Sequence, residues 1–257
     1  MDRKTFEKVL EINRKFYQDF GEAFAVTRRR IQPGIRSILE SLPRSGNWLD
    51  VGCGSGALAQ AWKGHFQEGL YLGIDFSLPQ LELAQLVDGD VSGGVQVEFL
   101  EIDLSSVDWV SKVRSYLQEN GIEALFDGIV SFAVLHHIPD CENRLRLLKN
   151  IRSFLAPGSL FVHSVWQFQH SERLMARRQD WNSVGLSQDM VEQGDYLLDW
   201  RRSMPGQKEK NGLRYVHLYD RKELAELADL SGFAIIKEFE SDGEGGRLGL
   251  YQFWQAV

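Results

Sequence analysis

A mostly parallel α/β sheet closed by an antiparallel hairpin is the fold this sequence predicts, and three observations predict it. Apolar runs bounded by turn residues alternate with segments of helical spacing from Asn47 to Val165. The first run ends in a glycine-rich loop, Gly52-Cys53-Gly54-Ser55-Gly56. Beyond them Phe233 to Phe239 and Leu248 to Trp254 read as two strands joined by the turn-rich stretch Ser241 to Gly246.

Composition agrees with a single folded unit. The chain has 257 residues, 43% hydrophobic and 25% charged, which excludes disordered and collagenous classes. At this length a fold buries roughly three-quarters of its unfolded surface, so no disulfide or structural metal is needed. The cysteines, Cys53 and Cys141, are too few for a disulfide framework and stand in no metal-ligand spacing, so no metal is expected and a reducing cytoplasm fits best. The N-terminal stretch carries Arg3, Lys4, Glu7, Lys8, Glu11, Arg14 and Lys15, which excludes a signal peptide, and no segment reaches the length of a membrane span. A net charge of −7 provides no global field for a polyanion.

Residues 1–46 read as leading helices: Phe6, Val9, Leu10, Phe16, Tyr17 and Phe20 recur at near-helical spacing with Ile12 off the face, then Pro33 opens a segment with Ile35, Ile38, Leu39 and Leu42. Residues 47–165 form the core. Strands are expected at Asn47 to Val51, Leu70 to Ile74, Val95 to Ile102, Leu125 to Phe132 and Ser159 to Val165. The helices between them carry Leu58, Ala61, Trp62 and Phe66, then Leu78 to Val87, Val107 to Leu117, and Leu145, Leu148, Ile151 or Arg152, and Leu155. Over residues 166–217 the period is lost, and the stretch reads as an insertion packed over the sheet edge. Residues 218–257 return to order with a helix from Lys222 to Leu230, capped by Gly232, and the hairpin. Seven strands result, within one domain over 1–257.

In such a sheet the ligand crevice lies beyond the carboxyl ends of the strands, where the loop Gly52 to Gly56 falls. Gly52 and Gly54 let the backbone approach a ligand, and the following helix offers free N–H groups. Gly52, Gly54 and Ala57 also satisfy a dinucleotide fingerprint, with Asp75 where a ribose-binding acid belongs. Against a nicotinamide enzyme, no Tyr is followed four residues on by Lys to serve as proton donor. The third strand ends in Glu101-Ile102-Asp103-Leu104, an acid placed to accept from an adenine amino group, and that suits a mononucleoside. Each acid alone reads more readily as a cap or a solvated strand end than as a functional group; three in register make the argument.

Leu49-Asp50-Val51-Gly52-Cys53-Gly54-Ser55-Gly56, then Asp75, Asp103 and Val130-Ser131-Phe132, resemble the Rossmann-like S-adenosylmethionine-dependent methyltransferases. The resemblance implies that Gly52, Cys53 and Gly54 touch the methionyl part, with Cys53 contributing backbone. It also implies that Asp50 supports the loop, Asp75 with Phe76 binds the ribose, Asp103 with Leu104 holds the adenine, and Ser131 lines the methionyl end. Thr27-Arg28 before Pro33, Val134-Leu135-His136-His137-Ile138, Val165-Trp166, Gly194-Asp195 with Trp200, and Arg214-Tyr215-Val216-His217 are similar to the tRNA wobble-uridine carboxymethyl methyltransferases. Ser55 and Ala57 depart from that family's Asn and Lys, Gln32 from its Trp, and Leu198-Asp199 from its Val-Pro.

That resemblance implies methylation of a carboxylate on a modified uridine of tRNA, with S-adenosylmethionine as cofactor. A carboxylate is already ionised at pH 7 and needs no base. Arg28, Arg214 and His217 are candidates to hold the acceptor or the methionine carboxylate, and His136 to lie over the methyl, with His137 packed or turn-forming. A strand-end role satisfied by backbone stands beside the active-site reading of His136. Trp166, Trp181 and Trp200 stack a base or pack the core.

Arg28-Arg29-Arg30 with Arg36 and Arg44, and Arg201, Arg202, Lys208, Lys210 and Arg214, form two basic clusters that read as phosphate contacts or solvated faces. The family's eukaryotic members work with a small zinc-binding partner protein; Phe239 and Phe253 offer a partner surface or core. A small-molecule carboxyl or hydroxyl methyltransferase and a non-catalytic cofactor-binding module are the alternatives.

Overall fold

The computed structural model describes residues 1–26, 30–86, 94–202 and 210–257. Thr27, Arg28, Arg29, Val87 and Lys208, which figure in the sequence reading, lie outside them. The N-terminal segment is one helix, α1 (Arg3–Val26), whose buried stripe is Thr5, Val9, Asn13 and Phe16. Ile12 is not off the packed face: it joins Val9 against Trp181, Leu197 and Tyr215 of the insertion. Helix α2 (Pro33–Ser41) begins with proline in its first turn, where the missing N–H costs nothing.

The core runs β1 (Trp48–Val51), α3 (Ala57–His65), β2 (Gly69–Asp75), α4 (Leu78–Gln85), β3 (Val95–Glu101), α5 (Trp109–Glu119), β4 (Phe126–Phe132), α6 (Cys141–Arg152) and β5 (Leu155–Trp166). After the insertion come α8 (Arg221–Ser231), β9 (Phe233–Ser241) and β10 (Gly249–Ala256). The sheet order is β3-β2-β1-β4-β5-β10-β9. Strands β1 to β5 are parallel, and β10 pairs antiparallel with both β5 and β9. The order reverses between β1 and β4, which opens a crevice at the ends of those strands.

Alternation along each strand divides the core between two faces. Leu49, Val51, Ile129, Phe161 and Val165 pack with Val113 of α5, Leu148 of α6 and Leu224 of α8. Trp48, Tyr71, Val130, Val162 and Phe253 pack with Ile38 of α2 and Trp62 of α3; Phe253 therefore belongs to the core. A Cβ at Gly128 would stand 2.3 Å from the Trp48 ring, so close approach of β1 and β4 under that indole requires glycine.

The insertion contains its own order: α7 (Glu172–Met175) and an antiparallel sheet of β6 (Arg178–Gln179), β7 (Asp195–Arg202) and β8 (Lys210–His217). It does not cover a sheet edge. It packs on α1 and on the turn after β4, where Asn13 donates to Tyr215 O (3.2 Å) and His137 O (3.3 Å) and accepts from Tyr215 N (2.8 Å). Trp181 is buried in that contact and Trp200 lies edge-on to Phe16 and Phe20, so both pack against α1. Among the described residues no helix is long and apolar enough to cross a membrane.

One core residue makes stability depend on acid. His163 of β5 is fully buried between the rings of Phe161 and Trp254, and neither ring nitrogen has a hydrogen-bond partner. Burial pulls its pKa down to about 3. The unfolded chain takes up a proton near pH 6.5, so stability is lost as pH falls from there towards 3. Between pH 7 and 5 the loss from this residue is expected to be about 2 kcal/mol, and urea denaturation of His163→Phe at the two pH values should show that share of the loss removed.

Candidate active site

A cavity of about 290 Å³ opens at the carboxyl ends of the strands. Its floor is the loop after β1, whose Gly52 and Cys53 N–H groups both donate to Ile74 O (2.8 and 3.0 Å). Gly52 has φ +81°, and a Cβ there would fall 2.3 Å from Val134 Cγ2. Gly54 has φ +55° and donates its N–H to Asp75 Oδ2 at 2.9 Å. Asp75, at the end of β2, also accepts from Ser77 N (2.9 Å) through Oδ1, so one carboxylate ties the loop to the start of α4. Burial raises its pKa against the pull of these N–H groups. Cys53 is buried and its thiol is pushed up by burial, which leaves it an inert thiol contributing backbone.

Asp50 lies beneath the loop, 3% exposed, and accepts a short hydrogen bond from the Tyr71 hydroxyl. Burial pushes its pKa up to about 7; the Tyr71 bond opposes the rise and the Asp75 charge adds to it. A cationic ligand beside Asp50 favours the ionised form, so cation binding releases a proton and tightens as pH rises through 7. Affinity for a cationic ligand bound there is expected to rise several-fold from pH 6 to pH 8, and Asp50→Asn should flatten that dependence in calorimetric titrations.

At the far end, Asp103 accepts from Ser105 N (2.9 Å) and Oγ (2.7 Å) at Oδ1, and from Arg14 Nη2 (2.7 Å) at Oδ2. Burial raises its pKa, but the bonds from Ser105 and Arg14 outweigh it and hold the carboxyl below its usual range. Arg14 comes from α1, as do Asn13 and Tyr17, which also line the cavity. Nothing in the sequence marked these three: their partners lie 89 to 202 positions away, and no local spacing reports such contacts.

Asp50, Gly52, Cys53, Gly54, Asp75, Phe76, Asp103 and Leu104 all line the cavity. Arg28 lies outside the described residues. The remaining candidates fall elsewhere. Ser131 does not line the cavity; its hydroxyl donates to Val51 O at 2.9 Å and fastens β4 to β1. The expectation for the two histidines is reversed. His136 is buried away from the cavity, stacks on Trp166 and accepts from the Trp166 N–H through Nδ1 at 3.3 Å. His137 lines the cavity, with Nε2 at 3.0 Å from Tyr17 Oη and Nδ1 at 3.0 Å from Tyr215 O.

Arg214 is also not on the cavity wall. It is 3% exposed and packs its guanidinium over the Phe16 and Trp166 rings at 4.9 and 5.1 Å, so it supports Trp166, which does line the cavity. His217 points into a separate buried network. Its Nδ1 meets Asp195 Oδ1 at 2.6 Å and its Nε2 meets Glu223 Oε2 at 3.0 Å. Burial lowers its pKa, but the two carboxylates outweigh burial and raise it. Glu192, Asp195 and His217 bring donor atoms close enough to hold a metal ion. The buried Arg144 guanidinium, however, already pairs with Glu192 and with Glu223 (3.5 Å) and supplies the positive charge.

The basic clusters divide. Arg30, Arg36 and Arg44 are exposed, and Arg30 lines the cavity. Of the second cluster's described side chains, Arg214 is buried, and Arg201 is exposed and pairs with Asp199 at 2.7 Å.

The strand order, the reversed hairpin and a glycine loop hinged to a strand-end acid define a methyltransferase that uses S-adenosylmethionine. The glycine cradle and the ring of acids fit that cofactor. The chain belongs to the family described as "Methyltransferase domain", whose model matches residues 24–238.

Among relatives, a protein of Encephalitozoon cuniculi named as a methyltransferase is 27% identical over 86% of this chain and 87% of its own length. The tRNA (carboxymethyluridine(34)-5-O)-methyltransferase of Schizosaccharomyces pombe is 22% identical over 86% of this chain and 88% of its own. This chain spans 37% of the length of a tRNA methyltransferase 9B relative of Bos taurus. Of solved structures, a SAM-dependent methyltransferase of Methanosarcina mazei superposes with a TM-score of 0.60 at 21% identity, covering 89% of this chain and 99% of that one.

Proposed function

We propose that the protein methylates the carboxylate of a carboxymethyl-type modified uridine in tRNA. The observation that carries this reading is the match to the Schizosaccharomyces pombe enzyme of that activity over most of both chains. In the proposed arrangement Asp75 and Phe76 hold the cofactor's ribose, Asp103 and Leu104 its adenine, and the Gly52 to Gly54 backbone with Asp50 its methionyl end. When bound, the cofactor supplies a sulfonium methyl.

The chain's own residues have to orient the acceptor and exclude water. Phe132, Tyr251 and Trp166 give the cavity an aromatic wall suited to a base. Arg30 at its edge is placed for a phosphate or a carboxylate. No base is required for a carboxylate acceptor, because the nucleophile is already ionised. Alignment is then the main contribution of the protein.

The test is incubation with methyl-labelled S-adenosylmethionine and tRNA bearing carboxymethyluridine, followed by mild base. Label that enters tRNA and is released by base is the expected result, since an ester hydrolyses and other methyl linkages do not. Absence of label in that tRNA, with cofactor binding demonstrated, would refute the reading.

A further inference from the structure

The wall of the cavity carries more chemistry than a carboxylate acceptor uses. His137 sits in the turn after β4 with both ring nitrogens engaged: Nδ1 with Tyr215 O at 3.0 Å, Nε2 with Tyr17 Oη at 3.0 Å. A carbonyl oxygen can only accept, so Nδ1 carries the proton. In the neutral ring Nε2 then presents its lone pair, and the Tyr17 hydroxyl donates to it.

That arrangement is held by α1 and β8. Asn13, one turn before Tyr17 on α1, bonds to both His137 O and Tyr215 O, and accepts from Tyr215 N. The Tyr17 ring stands edge-on to Phe76 and to His137, between the proposed ribose site and the turn. Both Tyr17 and His137 line the cavity. Their oxygen and nitrogen are therefore fixed in register on the cavity wall beside the proposed ribose site, with the imidazole locked in the tautomer that takes a proton.

We infer that Tyr17 and His137 form a proton-accepting pair, Tyr17 touching the acceptor and His137 acting through it, and that the cavity methylates a hydroxyl on the modified uridine as well as a carboxylate. The inference rests on the proposed uridine acceptor. As the acceptor's oxygen–carbon bond forms and the sulfur–methyl bond breaks, the acceptor's hydroxyl proton passes to Tyr17 Oη. The Tyr17 proton passes to His137 Nε2, which ends as imidazolium with Nδ1–H still on Tyr215 O. Among the described residues, the titratable groups in contact with the imidazole are Tyr17 of α1, His136 on its own turn and Tyr215 of β8, and Arg14, Arg30, Asp50, Asp75, Asp103 and Asp242 line the same cavity.

The experiment uses the full chain, labelled S-adenosylmethionine and two anticodon stem-loop RNAs, one carrying 5-carboxymethyluridine and the other 5-hydroxymethyluridine. Both are expected to be labelled. At saturating cofactor the single-turnover rate with the hydroxyl RNA should fall steadily as the pH is lowered and the proton acceptor is lost, and with the carboxylate RNA it should stay level down to about pH 5. His137→Gln should lower the hydroxyl rate by on the order of 100-fold or more and abolish the acid limb. Tyr17→Phe keeps the ring contacts and removes only the hydroxyl, and it should do the same if the first variant folds poorly.

Independently of turnover, nitrogen NMR of labelled histidine should show the His137 ring protonated at Nδ1 when neutral, with Nε2 shifted in Tyr17→Phe. Label in the carboxylate RNA and none in the hydroxyl RNA would overturn the inference and leave the proposed function standing; label in neither would overturn both. A ring protonated at Nε2 would overturn the relay whatever the turnover.

Discussion

Replacing Asp75 by alanine is expected to weaken S-adenosylmethionine binding by on the order of 100-fold while the sheet stays folded. The side chain is a buried carboxylate accepting from Gly54 N and Ser77 N at 2.9 Å each. Hydrogen bonds to a charged group contribute about 1.5 to 3 kcal/mol each, and about 1.4 kcal/mol is tenfold in affinity. Removal strips the floor loop of its tether to β2 and leaves two N–H groups in a buried site without an acceptor. It also deletes the group proposed to take the ribose hydroxyls. Asp75→Asn keeps the shape and one acceptor oxygen, so it should lose less. Titration calorimetry on the two variants checks the order, and an alanine variant binding within threefold of the parent would show that the acid does not hold the cofactor.

The second large effect is on stability. Arg144→Ala is expected to cost about 3 to 5 kcal/mol, the range for removing one partner of a buried ion pair. Arg144 is 1% exposed on α6. Its guanidinium pairs with Glu192 of the insertion and Glu223 of α8 and donates to Ile138 O at 3.3 Å. Without it Glu192 and Glu223 lose their guanidinium partner while Asp195 and His217 stay buried beside them. Urea denaturation measures the loss, and a change under 1 kcal/mol would mean that the network is solvated. Because Glu192 belongs to the insertion, proteolysis between Phe168 and Asp195 should also quicken in the variant.

The sheet was legible because its information is local. A buried strand in a parallel sheet is an apolar run, a glycine loop is a short word, and Asp75 and Asp103 stand at strand ends that the runs themselves delimit. The side of the cavity proposed to hold the cofactor is assembled from such ends. The opposite side is not.

His136 and His137 are neighbours, and which of them faces the cavity depends on the phase of the turn after β4, set by Ala133 at φ +60°. That conformation is uncommon for a residue with a Cβ and carries no sequence signature. Arg214 and His217 stand three apart on β8, and residues an odd number apart on a strand point to opposite faces. The period of two already argued against their serving one ligand together, but the insertion could be read as β8 only once its pairing with β7 was known. Ser131 is a strand residue whose hydroxyl found a nearer acceptor in β1. The contributions of α1, from Asn13, Arg14 and Tyr17, depend on where a separate helix lands, which no spacing within it reports.

Strand β10 is made after β9 but lies inside it, between β9 and β5. Asp242, Leu248, Gly249 and Tyr251, from the hairpin, also complete one wall of the cavity. On the ribosome, residues 1–248 therefore emerge with the long edge of β5 bare and the pocket open on one side. An unpaired edge of that kind invites association with other nascent chains. The wall that Tyr251 completes is in place only after that segment has cleared the exit tunnel, so synonymous codons that slow translation just before Gly249 would lengthen the interval in which the half-built sheet is exposed.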